Sequence, residues 1–382
     1  MAPLRRWCYA RAMGEDARRP RFWLRLAVSL VIAVALTWTL VSGGLPIIPS
    51  ARAFDHVKWG FVVLYGLALV GVHLSRAIRW RHLLRPLGEV APRHVLSTAW
   101  LGFAAVLLMP LRTGEVVRPL LVTKRGTVKG WEAAGSVGAE RVIDGVALSA
   151  LLFVALQLTT PLDPLPDRVG DLEVPVATVP GAAYGALVMF LVVFALMALF
   201  YFKRAWGVRL TRATVGILSK RLADRVAGVV ERVAKGMAFL PSGRHLAPFL
   251  VETAVYWAVN ALGFWLLAKG CGLTAIGFWE ACVVMGCLGI GILVPSGPGY
   301  FGTYQLAVYL ALAMFVSTAE VAVAGSAYIF LSYCCQIGQH VVGAVVAYLI
   351  DRLSPPARSA PEPVGEPAPD PAENLAEPES PA

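Results

Sequence analysis

Met109-Pro110-Leu111-Arg112-Thr113-Gly114-Glu115-Val116-Val117-Arg118-Pro119 is the stretch that decides how this chain is read. It sets two arginines and a glutamate between apolar runs, and it carries proline and glycine, which interrupt helices. At bilayer depth a charged side chain costs roughly 2.5–3.5 kcal/mol on insertion scales, so it persists where it is paired, hydrated or functional. Interrupted backbone at that depth is tolerated only inside protein or along a watery cavity. The stretch therefore reads as part of a binding or transport site inside a membrane domain.

The flanking sequence supplies that domain. The chain has 382 residues, 57% hydrophobic and only 15% charged, where a soluble domain carries about 25% charge. Several apolar runs approach or exceed the ~20 residues that a crossing helix needs. No series of short alternating segments suggests a barrel. The formal charge of +10 does not point to nucleic acid, because the basic residues lie beside membrane segments, where positive loops mark the cytoplasmic side. The six cysteines (Cys8, Cys271, Cys282, Cys287, Cys334, Cys335) form no C-x-x-C pair and read as thiols of the apolar core.

Outward from the opening stretch, the apolar runs give spans at 22–41, 57–75, 133–158, 180–202, 248–268 and 319–350. Ala51-Arg52-Ala53 resembles a cleavage site, yet it lies far beyond the first run, so that run is expected to remain as a signal anchor. Arg76, Arg79, Arg81, Arg85 and Arg93 follow the second run and read as a cytoplasmic loop. Residues 95–109 are too short to cross comfortably, and the segment beyond them is again basic. A hairpin that enters from the cytoplasm and returns resolves the conflict. A second pair of short arms, 278–294 and 303–316, surrounds another Pro/Gly break. The expected fold is an all-α polytopic membrane protein with about six full transmembrane helices and two opposed re-entrant helical hairpins, a recurring transporter architecture.

Three regions complete the domain plan. Residues 1–21 read as a basic cytoplasmic tail, 22–353 as the transmembrane domain, and 354–382 as a disordered Pro/Glu-rich tail. Within the domain, 203–247 is a basic loop in which Val215, Leu218, Leu222, Val226, Val229, Val233, Met237 and Leu240 recur at helical steps. Such a helix either lies on the anionic inner leaflet or packs against the bundle. Both termini are placed in the cytoplasm, with the protein in the cytoplasmic membrane.

Three constellations carry the chemistry. Arg112, Glu115 and Arg118 make a net-positive cluster, and the guanidinium fork suits phosphate or carboxylate. Glu140-Arg141-x-x-Asp144 places two carboxylates one helical turn apart at the start of a span. Either Arg118 or Arg112 neutralises them and locks the hairpin to the span, or the carboxylates couple a proton or cation. The third is Pro295-Ser296-Gly297-Pro298-Gly299-Tyr300-Phe301-Gly302-Thr303-Tyr304-Gln305. Its Gly297, Gly299 and Gly302 spell G-x-G-x-x-G, but no βαβ context supports a dinucleotide site. It reads as a kinked tip whose glycines allow close approach and whose free N–H groups open the next helix. The histidines His56, His73, His82, His94, His245 and His340 show no ligand spacing. No catalytic residue, metal or cofactor is assigned.

Pro110-x-Arg112-x-Gly114-Glu115-x-x-Arg118, Glu140-Arg141-x-x-Asp144 and Pro295-Ser296-x-Pro298-Gly299-x-x-Gly302-Thr303 occur in that order, with Arg79-Trp80 and Leu83-Leu84 ahead of them. The ordered set resembles the lysylphosphatidylglycerol synthase transmembrane family, the flippase-like integral membrane proteins, over about residues 20–350. The resemblance implies a lipid-translocating module. Relatives that also make the lipid carry a soluble aminoacyl-transferase domain after the membrane part; here a short acidic tail follows, so synthesis is not expected. Many relatives carry Glu where this chain has Gln305, which puts proton coupling through that position in doubt. The expected function is a flippase or exporter of an anionic or aminoacylated phospholipid or a lipid-linked intermediate. Arg112 and Arg118 would bind its phosphate, Glu115 would orient them or bind a cationic headgroup moiety, and Gly297, Gly299 and Gly302 would shape the opposed gate. The alternatives are a membrane scaffold and an enzyme of polyprenyl-phosphate-linked substrates. Homo-oligomerisation is left open.

Overall fold

The computed structural model describes residues 19–353 except 174–175, 204, 206–208, 210–211, 214–218 and 295. Nearly all of the two expected tails, together with Val215, Leu218 and Pro295, lie outside the described residues. Among the described residues, eleven α-helices of seven or more residues organise the rest: α1 (Arg19–Ser42), α2 (Trp59–Leu84), α3 (Pro92–Leu108), α4 (Val117–Thr123), α5 (Gly130–Leu158), α6 (Thr178–Phe202), α7 (Lys220–Lys235), α8 (Gly243–Gly270), α9 (Phe278–Gly291), α10 (Thr303–Leu312) and α11 (Ser326–Leu353). Among the described residues, six helical segments are long and apolar enough to cross a membrane: α1, α2, α5, α6, α8, and α11 with the turns before it from Thr318. Beyond the helices there is a two-residue hairpin, Arg168–Val169 against Leu172–Glu173, in the acidic loop between α5 and α6.

The second span differs from the expected one. Helix α2 does not stop at Ser75 but runs to Leu84, carrying Arg76 and Arg79 with it. Arg79 and Trp80 are fully buried there. An arginine can remain in the bundle because carboxylates on a neighbouring helix meet it, as described below.

Small residues set how closely the crossing helices approach, as is common where lipid offers no hydrophobic drive for association. Helices α2 and α8 run antiparallel: Gly263 faces Ala68 and Tyr65, while Gly270 sits against Phe61 and Lys58. Gly286 and Gly289 of α9 receive Leu152 and Leu148 of α5. Gly343 of α11 gives Trp100 of α3 a flat place to rest. The outward faces of α1 and α6 are apolar and open, with Trp38, Val34, Val188 and Val192 all exposed, as a lipid-facing surface requires. The amphipathic helix α7 packs along the start of α5, where Gly135 and Gly236 bring the backbones together and Ala227 and Ala234 are buried.

Two breaks interrupt the bundle. After α3, the 3-10 segment Pro110–Val116 turns the chain into the seven-residue α4. After the fourteen-residue α9, the 3-10 segment Pro298–Tyr300 leads to the ten-residue α10. Helix α1 holds this second break: the Ser29 hydroxyl donates to the Ser296 carbonyl at 3.0 Å, Gly297 lies on Ala33, and Gly302 lies on Leu36. The first break folds back on α3, and a Cβ on Gly114 would stand 2.1 Å from the Ala105 carbonyl. We therefore expect Gly114→Ala to force the break off α3 and destabilise the protein by about 1–3 kcal/mol, the usual cost of overpacking. Gly181→Ala, which meets nothing within 4 Å, should leave stability unchanged. Thermal unfolding of the two purified variants in detergent checks this.

Candidate functional site

The charged residues of the broken region sort into a sealed cluster and a cavity wall. Glu140 of α5 is the centre of the first. Its Oε1 accepts from Arg79 Nη2 at 2.8 Å, and its Oε2 accepts from Arg118 Nη2 at 2.9 Å. Asp144, one turn further along α5, receives both terminal nitrogens of Arg79 at 2.5 and 2.8 Å. Arg79 also reaches the Thr253 hydroxyl of α8 at 3.3 Å. The side chains of Arg79, Arg118 and Glu140 are wholly inaccessible. Two arginines thus meet two carboxylates, and the charges cancel. Aromatic faces complete the enclosure: Arg118 stands 4.2 Å over Trp80, and Arg79 stands 5.0 Å over Tyr256.

The cavity wall begins one residue along. Arg141 projects about 100° round α5 from Glu140 and donates to Glu115 at 3.3 Å. Arg112 donates to the other Glu115 oxygen at 3.1 Å. Between 25% and 29% of each of these three side chains is open, in contrast to the sealed cluster. Arg112 also donates to the Ile292 carbonyl at 3.1 Å and lies 5.8 Å over the Tyr300 ring. One guanidinium therefore joins the first break to the second. Among the described residues, Arg112 (φ 56) and Tyr300 (φ 58) are the non-glycine residues in the left-handed region. Such backbone costs about 1–3 kcal/mol and persists where surroundings over-determine it. Both strained residues line the same cavity.

That cavity has a volume of about 640 Å³ and is lined by α2 to α6, α8 to α11 and both breaks. Its charged lining is Arg76, Arg112, Arg141, Glu115 and Asp144; Asp144 is already paired with Arg79, so three cations face the one remaining carboxylate of Glu115, a formal surplus of two positive charges. Arg76 differs from the other two arginines. It has no ion-pair partner among the described residues, its Nε makes no hydrogen bond, and its guanidinium rests 4.1 Å over Phe103.

The residues singled out in the sequence fall on both sides of this division. Arg112, Glu115, Arg141, Asp144 and Gly299 line the cavity, whereas Arg118, Glu140, Gly297, Gly302 and Gln305 do not. Arg118 is committed to Glu140. Gln305 accepts from the Gly302 N–H at 2.8 Å and closes the start of α10, a task an amide oxygen performs as well as a carboxylate. Arg76, Arg79, His73 and His340 are additions from the structure. A spacing signal for three of them does exist: 73, 76 and 79 recur at three-residue steps and share a helical face. Among the described residues, no group of three or more His, Cys, Asp and Glu side chains is placed to hold a metal ion.

A multi-pass helical bundle with broken helices around a charged internal cavity is the architecture that results. The chain belongs to the family described as the lysylphosphatidylglycerol synthase TM region, which matches residues 22–337 of its 382. Membership makes it a multi-pass membrane protein of lipid metabolism or transport. No curated protein matches it.

The sealed cluster is expected to behave as a structural lock. Removing one member of a buried ion pair typically costs about 3–5 kcal/mol, because the other charge stays buried alone. Glu140→Gln strips Arg118 of its carboxylate and should lower the unfolding midpoint sharply. Arg112→Ala, at the open wall, should cost no more than about 1 kcal/mol. Equal midpoints for the two variants in a detergent melt would rule out the lock.

Proposed function

We propose that the chain moves a lipid with an anionic headgroup between leaflets, and that the headgroup is held in the central cavity by Arg76 and Arg112. The unpaired Arg76 guanidinium carries this reading. A charge inside a membrane bundle is costly unless it is compensated, and here the open volume in front of it is where a compensating anion would sit. A guanidinium offers a fork of donors that a phosphate can accept from in pairs.

The two breaks act as the gate. On this reading they are re-entrant hairpins that enter from opposite faces and meet where Arg112 bonds the Ile292 carbonyl. Glu115 spreads its charge over Arg112 and Arg141 and keeps both aimed at the cavity. Arg118, Glu140 and Arg79 hold the first hairpin without touching the lipid. On this reading the termini and the basic α6–α8 connection lie in the cytoplasm, beside an anionic inner leaflet that favours positive loops.

Native mass spectrometry of the purified protein tests the headgroup site. Wild type should retain an anionic phospholipid, and Arg76→Ala and Arg112→Ala should each lose most of it while unfolding at nearly the wild-type temperature. The same two variants should fail to move a fluorescent phosphatidylglycerol across proteoliposomes. Full retention and transport by both would end the assignment.

A further inference from the structure

His73 of α2 and His340 of α11 meet in the cavity wall although they stand 267 positions apart in the chain. Their Nε2 atoms face each other at 3.1 Å. Each ring's Nδ1 is already committed: His73 Nδ1 donates to the Leu69 carbonyl at 2.9 Å, and His340 Nδ1 to the Gln336 carbonyl at 2.7 Å. A carbonyl oxygen only accepts, so these partners assign a hydrogen to both Nδ1 atoms. In a neutral imidazole the other nitrogen is then bare. Two bare lone pairs repel at 3.1 Å, whereas one hydrogen between them makes an N–H···N bond of ordinary length. With that hydrogen in place, four ring nitrogens would share three hydrogens and the pair would carry one positive charge; without it, two lone pairs face each other.

The surroundings fix this pair in place. Trp100 stacks on His73 with centroids 5.2 Å apart, Phe103 meets it edge-on at 5.4 Å, and Gln339 ties its amide to the same Leu69 carbonyl at 2.9 Å. The residues of α3 against the pair are therefore aromatic and uncharged. The charged and titratable groups sharing the cavity are Arg76 on α2, Tyr256 on α8, Tyr333 on α11, Tyr300 and Tyr304 at the second break, Arg112 and Glu115 at the first, and Arg141 and Asp144 on α5. Arg76 is the nearest of these along the chain, three residues from His73 on the same helical face.

We propose that His73 and His340 form a one-proton binding site, and that this proton and an anionic headgroup at Arg76 enter the cavity together. The proposal rests on the headgroup reading above. With the cavity empty, the Arg76 charge opposes a second positive charge beside it. An anion on Arg76 removes that opposition, and a proton on the pair in turn adds to the attraction for the anion. Linkage makes the two effects equal. The proton comes from solution and returns to it, so a headgroup that crosses with its proton would be driven by a proton gradient. Anionic lipid binding should tighten as pH falls through the imidazole range, about pH 8 to 5. Loss of the shared proton weakens it as pH rises. Measured couplings between sites run from about 5- to 150-fold in affinity, and we expect at least the lower figure.

Isothermal titration of the full-length protein in detergent with short-chain phosphatidylglycerol provides the test. It is run in two buffers of different ionisation heat, so that the difference counts protons taken up. Wild type should take up protons on binding. His340→Gln should bind without proton uptake and with an affinity that no longer follows pH, and Arg76→Ala should not bind. Wild-type binding with no proton uptake anywhere in that range overturns the proton site and leaves the headgroup site standing. No binding by wild type overturns the headgroup site and the joint entry with it. Imidazole-nitrogen NMR of the histidine-labelled protein reads the pair without any lipid. A doubly protonated ring that disappears in His340→Gln supports the site, and two singly protonated rings at every pH overturn it.

Discussion

Glu140 is the constraint on which the bundle's active half depends. Its two oxygens each hold a guanidinium, one from α2 and one from α4, so one side chain fixes three helices. Full burial leaves no water to substitute for a missing partner, and the two arginines and two carboxylates must all be present and in register. Such clusters contribute little net stability compared with apolar packing, because desolvation offsets the attraction. What they fix here is position. Helix α4 is only seven residues long and could not hold itself in place by its own hydrogen bonds; its anchor is Arg118.

The same helix that closes the lock also opens onto the site. Glu140 and Arg141 are consecutive, so they project from different sides of α5. A shift of α5 that disturbed the Arg79–Glu140–Arg118 cluster would also move Arg141 against Glu115. The first break is thus held from two sides, by Arg118 in the sealed cluster and by Glu115 at the cavity. Arg112 extends the chain of contacts to the second break through the Ile292 carbonyl. Every one of these links is a directed, charge-assisted hydrogen bond, which explains why broken backbone can persist here without the regular support of a longer helix.

The architecture was legible because bilayer-scale apolar runs are long and their ends are charged. The spans read from composition fall on the crossing helices, and the short arms at 95–109 and 278–294 fall on helices α3 and α9. The second span was misjudged at its end for a physical reason. An arginine after an apolar run ordinarily marks the headgroup boundary, and nothing local tells that Arg79 will meet Glu140 and Asp144, some sixty positions away. The His73–His340 contact is less legible still, because no spacing rule applies to residues on helices so far apart in sequence. Arg112, Glu115 and Arg141 could be read from their neighbourhood because all three sit beside or within a break, where charge has no ordinary structural use.

On the reading proposed above, the cavity has to release what it binds, and its wall suits that task. Binding that is too favourable would trap the cargo, as in any pore that must pass what it selects. Arg112 and Arg141 are not bare cations waiting for a phosphate; each already shares Glu115. An arriving anion competes with that carboxylate and gains only the difference. Among the described residues of the wall, Arg76 is the arginine without a counter-ion, held by the face of Phe103. With one unpaired and two half-satisfied cations among the described residues, such a wall would, on that reading, attract an anionic headgroup without holding it as tightly as three free arginines would. On that reading Glu115 works as an internal competitor that keeps the bound headgroup exchangeable.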